Sequence, residues 1–309
     1  MAAATTNDVT PNYDLIKDIQ EFDRTKIGVK GLRDSGVASI PKFFIQPPEV
    51  LSTLKPPSET NTANIPVIDL QNIKSQTHRP EIIKQIKEAA KEWGFFQPDE
   101  VKAKYYEREL LKAVAYSNNL DLYQAKTATW HDYLQLWMAP EERVAKVEDM
   151  PEVVRKEAVA WDGCVTKLTE DVMELLCEGI GLESSRFKEL SCSGQRILVG
   201  AYYPPCPQPD LTLGRPPHTD SGTITIISNG EYNSVHHRVL ANSYNEARIS
   251  VTEFFSLSKW KEYGSFGPLP ELVSAEKPAL YRQFTLDEFF RTLSSKAIDS
   301  KSLVDKLKL

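Results

Sequence analysis

Between Arg196 and Phe255 the chain is written in short β-rich runs broken by Gly, Pro and Asn, and this texture limits its fold more than any other feature. The runs are Ile197-Leu198-Val199, Thr223–Ile227, Val235–Leu240 and Ile249–Phe255, rich in the branched and aromatic residues that strands favour. Ahead of them the periodicity is helical. Leu15, Ile19 and Phe22 predict an amphipathic helix within 12–24, and Ile82, Ile86, Ala89 or Ala90, and Trp93 predict another over 79–93, ended by Gly94. Pro41, Pro47, Pro48, Pro56 and Pro57 predict an extended connector, because proline donates no backbone hydrogen bond. Ile65–Leu70 reads as a strand. Residues 99–190 read as mostly helical, with Leu168, Val172 and Leu175 on one stripe and Gly179 and Gly181 closing that segment. Thr285 with Glu288 forms a capping-box pattern for a helix carrying Leu286, Phe289, Phe290 and Leu293. The expected class is α+β, with a mostly helical region over 1–190 and a strand-rich region over 191–309.

Composition narrows the function. A chain of 309 residues can bury a large core, and 41% apolar with 26% charged residues is ordinary for a soluble globular protein. A net charge of −6 argues against sequence-independent nucleic-acid binding. No apolar run approaches a membrane span, and the first ten residues lack the basic and apolar regions of a secretory signal. Cys164, Cys177, Cys192 and Cys206 show no CxxC pairing and read as reduced thiols. A cytoplasmic monomer acting on a small molecule is the expectation, with neither nucleic acid nor membrane as partner.

The chemistry-bearing residues lie in the strand-rich part. Three of the five histidines, His218, His236 and His237, fall within twenty residues, and His218 begins a His-Thr-Asp. A His-x-Asp with a further histidine on a neighbouring strand would make a two-histidine, one-carboxylate face, leaving three sites of an octahedral metal open. A solvated turn is the competing reading of His218-Thr219-Asp220. His78 and His131 have no evident partners and read as surface or packing residues. Arg248 and Ser250 point to the same side of a strand, and together could grip a carboxylate. A surface arginine beside a strand serine is the competing reading there.

The order His-x-Asp, His-Arg-Val, Arg-x-Ser, with Tyr202-Tyr203-Pro204-Pro205-Cys206-Pro207 upstream, resembles the plant iron(II)- and 2-oxoglutarate-dependent dioxygenases. Phe22-Asp23, Gly28-Val29-Lys30-Gly31-Leu32, Ile40-Pro41, Ile65–Leu70 and Trp93-Gly94-Phe95-Phe96-Gln97 resemble the branch of ACC-oxidase homologues. The resemblance implies a double-stranded β-helix (jelly-roll) core with helices packed on one face. It implies iron(II) held by His218, Asp220 and His237, and 2-oxoglutarate held by Arg248, Ser250 and Tyr203, with ascorbate keeping the iron reduced. His236 precedes the family's His-Arg and is not the matching ligand. The implied activity is hydroxylation or oxidation of a small plant specialised metabolite, releasing succinate and carbon dioxide. Ala201 stands where relatives often carry Asn or His before the two tyrosines.

Two departures stand out. After Gln97 the family's strand, Asn-His-Gly and helix are missing. After about Ile226 the chain skips several barrel strands, so only 16 residues separate Asp220 from His237. A flat hairpin centred on Asn229-Gly230 would put His218 opposite Ala241, about 13 Å along the strand from His237. Ligand atoms must all lie about 2 Å from one ion, so a regular hairpin does not assemble the site. The jelly roll is thus expected to be truncated, and the chain to bind iron weakly and turn over poorly. The alternative function is a non-catalytic remnant.

Overall fold

The computed structural model describes residues 14–54, 99–109, 112–119, 122–123, 125–220, 223–258, 264–285, 287–288, 291 and 303–309. The expected strand at 65–70, the expected helix at 79–93 with Gly94, and His78 all lie outside the described residues, as do Leu286, Phe289, Phe290 and Leu293.

Two helices open the described chain. α1, Leu15–Thr25, is capped by the Asp14 carboxylate, which accepts from Lys17 N–H, and it buries Ile19 and Phe22. α2, Gly28–Asp34, has the Asp132 carboxylate at its start, accepting from Val29 N–H at 2.7 Å and Lys30 N–H at 2.8 Å. The proline-rich stretch is less extended than expected. It holds a 3-10 turn at Lys42–Phe44 and a helical turn at Pro48–Leu51, where Pro48 sits at a first-turn position that needs no N–H. Phe22, Phe43, Phe44 and Trp130 pack here as one aromatic cluster.

Six strands follow: β1 Val114–Asn118, β2 Asp132–Ala139, β3 Gln195–Tyr203, β4 Leu213–His218, β5 His237–Leu240 and β6 Arg248–Ser256. β1-β2-β3-β6 make one antiparallel sheet, and β4-β5 make a second. The fold is α+β, a short double-sheet arrangement. β1 and β2 correct the mostly helical reading of 99–190. β2 is buried along its whole length, so its two faces do not alternate, and periodicity cannot tell such a strand from a buried helix.

The helical reading does hold for Glu152–Gly179, a long helix that ends where Gly179 and Gly181 stand, with Gly181 at φ +76°. Its buried face differs from the expected stripe. Ala158, Met173 and Cys177 face the core, whereas Val172 and Leu175 are exposed. The helix packs Ala158 against Leu134, Leu136, Met138 and Leu198, on one face of the four-stranded sheet. Among the described residues no helix is long and apolar enough to cross a membrane, and all four cysteines are free.

Thr223–Ile227, expected as a strand, is a helical turn. Its Ile226 and Ile227 are fully buried beside Phe187, Leu257 and Phe266, and this burial overrides the β preference of the residues. Asn229 at φ +52° and Gly230 at φ +81° close that turn, with Gly230 N–H donating to the Thr225 carbonyl. They do not form a hairpin between β4 and β5. At Thr285 the cap bond to Glu288 N–H is present at 3.1 Å, but the Glu288 carboxylate pairs with Arg282 instead of reaching back.

Candidate metal centre

β4 and β5 pair through an irregular register: Leu213 opposite Leu240, Arg215 opposite Val239, and His218 opposite His237. The flat hairpin that would set His218 against Ala241 is therefore corrected. The chain between the strands makes a helical excursion, and the two irregularities in the ladder absorb the offset.

Asp220, two residues past β4, turns back toward both rings. His218 Nε2 lies 3.6 Å and His237 Nε2 3.9 Å from Asp220 Oδ1. One ligand atom from each of the three lies within 4.8 Å of the others. In an octahedral site, bonds of about 2.1 Å put neighbouring donors about 3 Å apart, so the two imidazole–carboxylate distances need to close by less than about 1 Å to meet an ion.

Both imidazoles are held in the tautomer a metal needs. His218 Nδ1 is 2.8 Å from the Pro216 carbonyl, and His237 Nδ1 is 3.1 Å from the Val235 carbonyl. A carbonyl can only accept, so each Nδ1 carries a proton and each ring turns its Nε2 toward Asp220, the nitrogen that a metal would take. Burial pushes the His218 imidazole down to about 4, with Arg215 and His237 adding to the effect. His218 thus stays neutral near pH 7. The side chains are graded in exposure, 15% for His218, 40% for His237 and 52% for Asp220, so the face opposite His218 opens to solvent. Two neutral imidazoles and a carboxylate are the donor set of non-haem iron(II) sites, and the residues present fit such an ion.

The second group lies on the four-stranded sheet. β6 runs antiparallel to β3 with Arg248 opposite Tyr203 and Ser250 opposite Ala201, so these four side chains share one face. The Arg248 guanidinium lies 4.9 Å from the centroid of the buried Tyr203 ring. His236 is exposed and outside the cluster of three.

Three residues that sequence reasoning missed join the two sheets. Asn242 donates from Nδ2 to the Tyr203 carbonyl, and its own carbonyl accepts from Cys206 N–H. Gly214 on β4 has no room for a side chain. A Cβ there would lie 2.7 Å from the Leu240 carbonyl oxygen and 3.0 Å from Tyr203 Cδ1. A glycine inside a strand signals such close approach and could have been read as one. His131 is buried and stacked on Tyr203, with centroids 5.6 Å apart and planes 26° apart, and nothing in its sequence neighbourhood announces that.

Comparison with known proteins places this arrangement. Residues 65–98 match the family described as non-haem dioxygenase in morphine synthesis N-terminal, and residues 194–228 match the 2OG-Fe(II) oxygenase superfamily. The chain is 32% identical to 1-aminocyclopropane-1-carboxylate oxidase homolog 3 of Arabidopsis thaliana, covering 97% of this chain and 99% of that one. It is 31% identical to a 1-aminocyclopropane-1-carboxylate oxidase homolog of Solanum lycopersicum, again over 97% and 99%. The first alignment runs over 366 positions against 309 residues here, so the relative carries several dozen residues without a counterpart. In structure the chain is similar to JOX2, whose crystal structure contains 2OG, Fe and JA, with a TM-score of 0.75 at 24% identity, over 92% of this chain and 98% of that one. It is also similar to the rice dioxygenase for auxin oxidation, with a TM-score of 0.57 at 19% identity, over 74% and 86%. These two likenesses speak to the jelly-roll fold, and the sequence relatives speak to descent. The chain belongs to the plant 2OG-Fe(II) oxygenase superfamily, among the homologues of 1-aminocyclopropane-1-carboxylate oxidase.

Proposed function

We propose that this chain is an iron(II)- and 2-oxoglutarate-dependent oxidoreductase that hydroxylates or oxidises a small plant specialised metabolite, with His218, Asp220 and His237 as iron ligands. The observation that carries the reading is the convergence of the two Nε2 atoms on Asp220 Oδ1, with both Nδ1 protons committed to backbone carbonyls. When bound, iron with 2-oxoglutarate supplies oxidative decarboxylation to succinate and carbon dioxide, coupled to oxygen insertion into the substrate. The protein's residues do the positioning. Arg248 and Ser250 offer donors to the distal carboxylate of 2-oxoglutarate, and the Tyr203 ring supports the Arg248 guanidinium, which lies over it. Tyr203 belongs to the co-substrate site by the same reading.

The matched segments end at residues 98 and 228, close to Gln97 and Ile226, which supports two internal stretches missing at those points. On this reading the 1–190 and 191–309 regions are each shortened, and one wall of the substrate pocket is lost. A cytoplasmic monomer that uses ascorbate to keep its iron reduced completes the proposal. The test is anaerobic loading with iron(II) and 2-oxoglutarate, followed by exposure to oxygen. Visible charge-transfer absorption and then succinate support the reading. Absence of both from the folded chain overturns it.

A further inference from the structure

We propose that His131 is a positioning residue of the co-substrate site, holding the Tyr203 ring that carries Arg248 and joining it to the strand that carries His218. The proposal rests on Arg248 and Tyr203 serving 2-oxoglutarate, as read above.

The strand register brings these residues together. β2 pairs with β3 as Tyr133 opposite Ala201 and Asp132 opposite Tyr202, so His131, one step before β2, comes level with Tyr203. β3 pairs with β6 as Tyr203 opposite Arg248. Three neighbouring chain segments thus line up imidazole, phenol and guanidinium in one row. His131 stacks on Tyr203 at 5.6 Å, and Arg248 lies 4.9 Å from the same ring. The row beside it is Tyr133, Ala201 and Ser250, and Tyr133 lies 6.3 Å from the His131 ring.

His131 is fixed at both ends. Its Nδ1 is 3.0 Å from Thr129 Oγ1, and Thr129 is held by Asn119, whose Oδ1 accepts from the Thr129 N–H at 2.8 Å. The ring also has a backbone hydrogen bond with Gly214, which lies on β4 four residues before His218. The neighbouring Trp130 N–H donates to the Leu213 carbonyl on the same strand. His131 therefore touches both halves of the site, Tyr203 by stacking and β4 by hydrogen bond. Phenylalanine could stack but could not make the two polar contacts.

The charge state suits this role. Burial, with Arg215 nearby, pushes the imidazole down to about 3. A neutral ring leaves the π face of Tyr203 to the Arg248 cation, whereas a protonated one would set a second cation against it.

The experiment compares His131→Leu and His131→Phe in the full chain. Manganese(II) replaces iron so that no turnover occurs, and calorimetry measures 2-oxoglutarate and manganese affinities separately. The Arg248 Nε–H resonance, shifted by the Tyr203 ring current, reports the stack without any ligand. His131→Leu should weaken 2-oxoglutarate binding about 5-fold to 10-fold, leave manganese binding within about 2-fold and move the Arg248 signal. His131→Phe, which keeps the stack but loses the bond to β4, should retain the shift and fall between His131→Leu and the parent in 2-oxoglutarate affinity. A residue that only filled space would give the same result for both variants, and that outcome overturns the proposal. So does a His131→Leu protein with unchanged Arg248 signal and unchanged 2-oxoglutarate affinity. If the unaltered chain binds manganese but no 2-oxoglutarate, the functional reading fails, and the co-substrate role of His131 fails with it. The Arg248 signal would then still decide whether His131 holds the ring.

Discussion

His218 on β4 stands directly across the strand pair from His237 on β5, with ring centroids 4.2 Å apart. Two imidazoles so close, each with Nδ1 bonded to the backbone carbonyl two residues before it, turn their Nε2 atoms toward Asp220. Replacing the His237 ring should remove a donor without removing a core side chain, since His237 is well exposed. His237→Ala is expected to bind iron(II) at least about 100-fold more weakly, because even partners of ligands cost 10–100-fold when lost. Its unfolding midpoint should stay close to that of the parent. Elemental analysis after anaerobic loading, alongside a thermal melt, checks both statements.

Arg248 lies over Tyr203 at 4.9 Å and shares a face with Ser250. Its planar fork can meet a carboxylate with two parallel bonds, which an ammonium cannot copy. Arg248→Lys should raise the KM for 2-oxoglutarate by about 10-fold or more while iron affinity is unchanged. Ser250→Ala should cost less. Steady-state succinate formation at varied 2-oxoglutarate separates the two effects.

Gly214 is where β4 passes closest to both β5 and β3. A methyl group there meets the Leu240 carbonyl at 2.7 Å and Tyr203 Cδ1 and Val239 Cγ1 at 3.0 Å, and backbone cannot give way cheaply. Gly214→Ala should destabilise the chain by about 1–3 kcal/mol, the usual range for overpacking. It should also disturb the strand that carries His218. Urea unfolding and iron affinity measure the two consequences.

Asp132 is 2% exposed yet accepts the first N–H groups of α2. Burial raises its pKa to about 6, outweighing those two bonds. A carboxyl raised in the folded state favours folding when protonated, so its contribution is full below the unfolded value near 3.8 and is lost as pH rises through about 6. Asp132→Asn removes that dependence. The stability of the variant relative to the parent should improve by about 1 kcal/mol between pH 5 and pH 7.5, a window that covers the upper part of the transition. Paired urea titrations at the two pH values provide the check, and a constant difference would contradict the assignment.

Part of this was readable from residue order because it depends on neighbours along the chain. The helix at Leu15–Thr25 follows from Leu15, Ile19 and Phe22 one turn apart, and the edges of β6 follow from the run at Ile249–Phe255. β2 was not legible because both its faces are buried and no alternation survives. Thr223–Ile227 misled because β-branched residues fill a helical turn whose shape is set by the core around Ile226 and Ile227. The long helix buries the arc of Met173 and Cys177 against Phe187, Leu190 and Ile226, although Val172 and Leu175 are equally apolar, since only packing decides which of two apolar stripes meets the core.

By itself the sequence determined the family, the donor types and the identity of the three candidate ligands, because those are properties of residue order and side-chain chemistry. Whether a chain with only 16 residues between Asp220 and His237 could bring its donors together was decided by tertiary structure alone. The excursion through Thr223–Ile227 is anchored by long-range burial, and that anchoring resets the β4–β5 register so that His218 faces His237. The same holds for His131, whose place against Tyr203 is fixed by pairing between strands more than fifty residues apart in sequence.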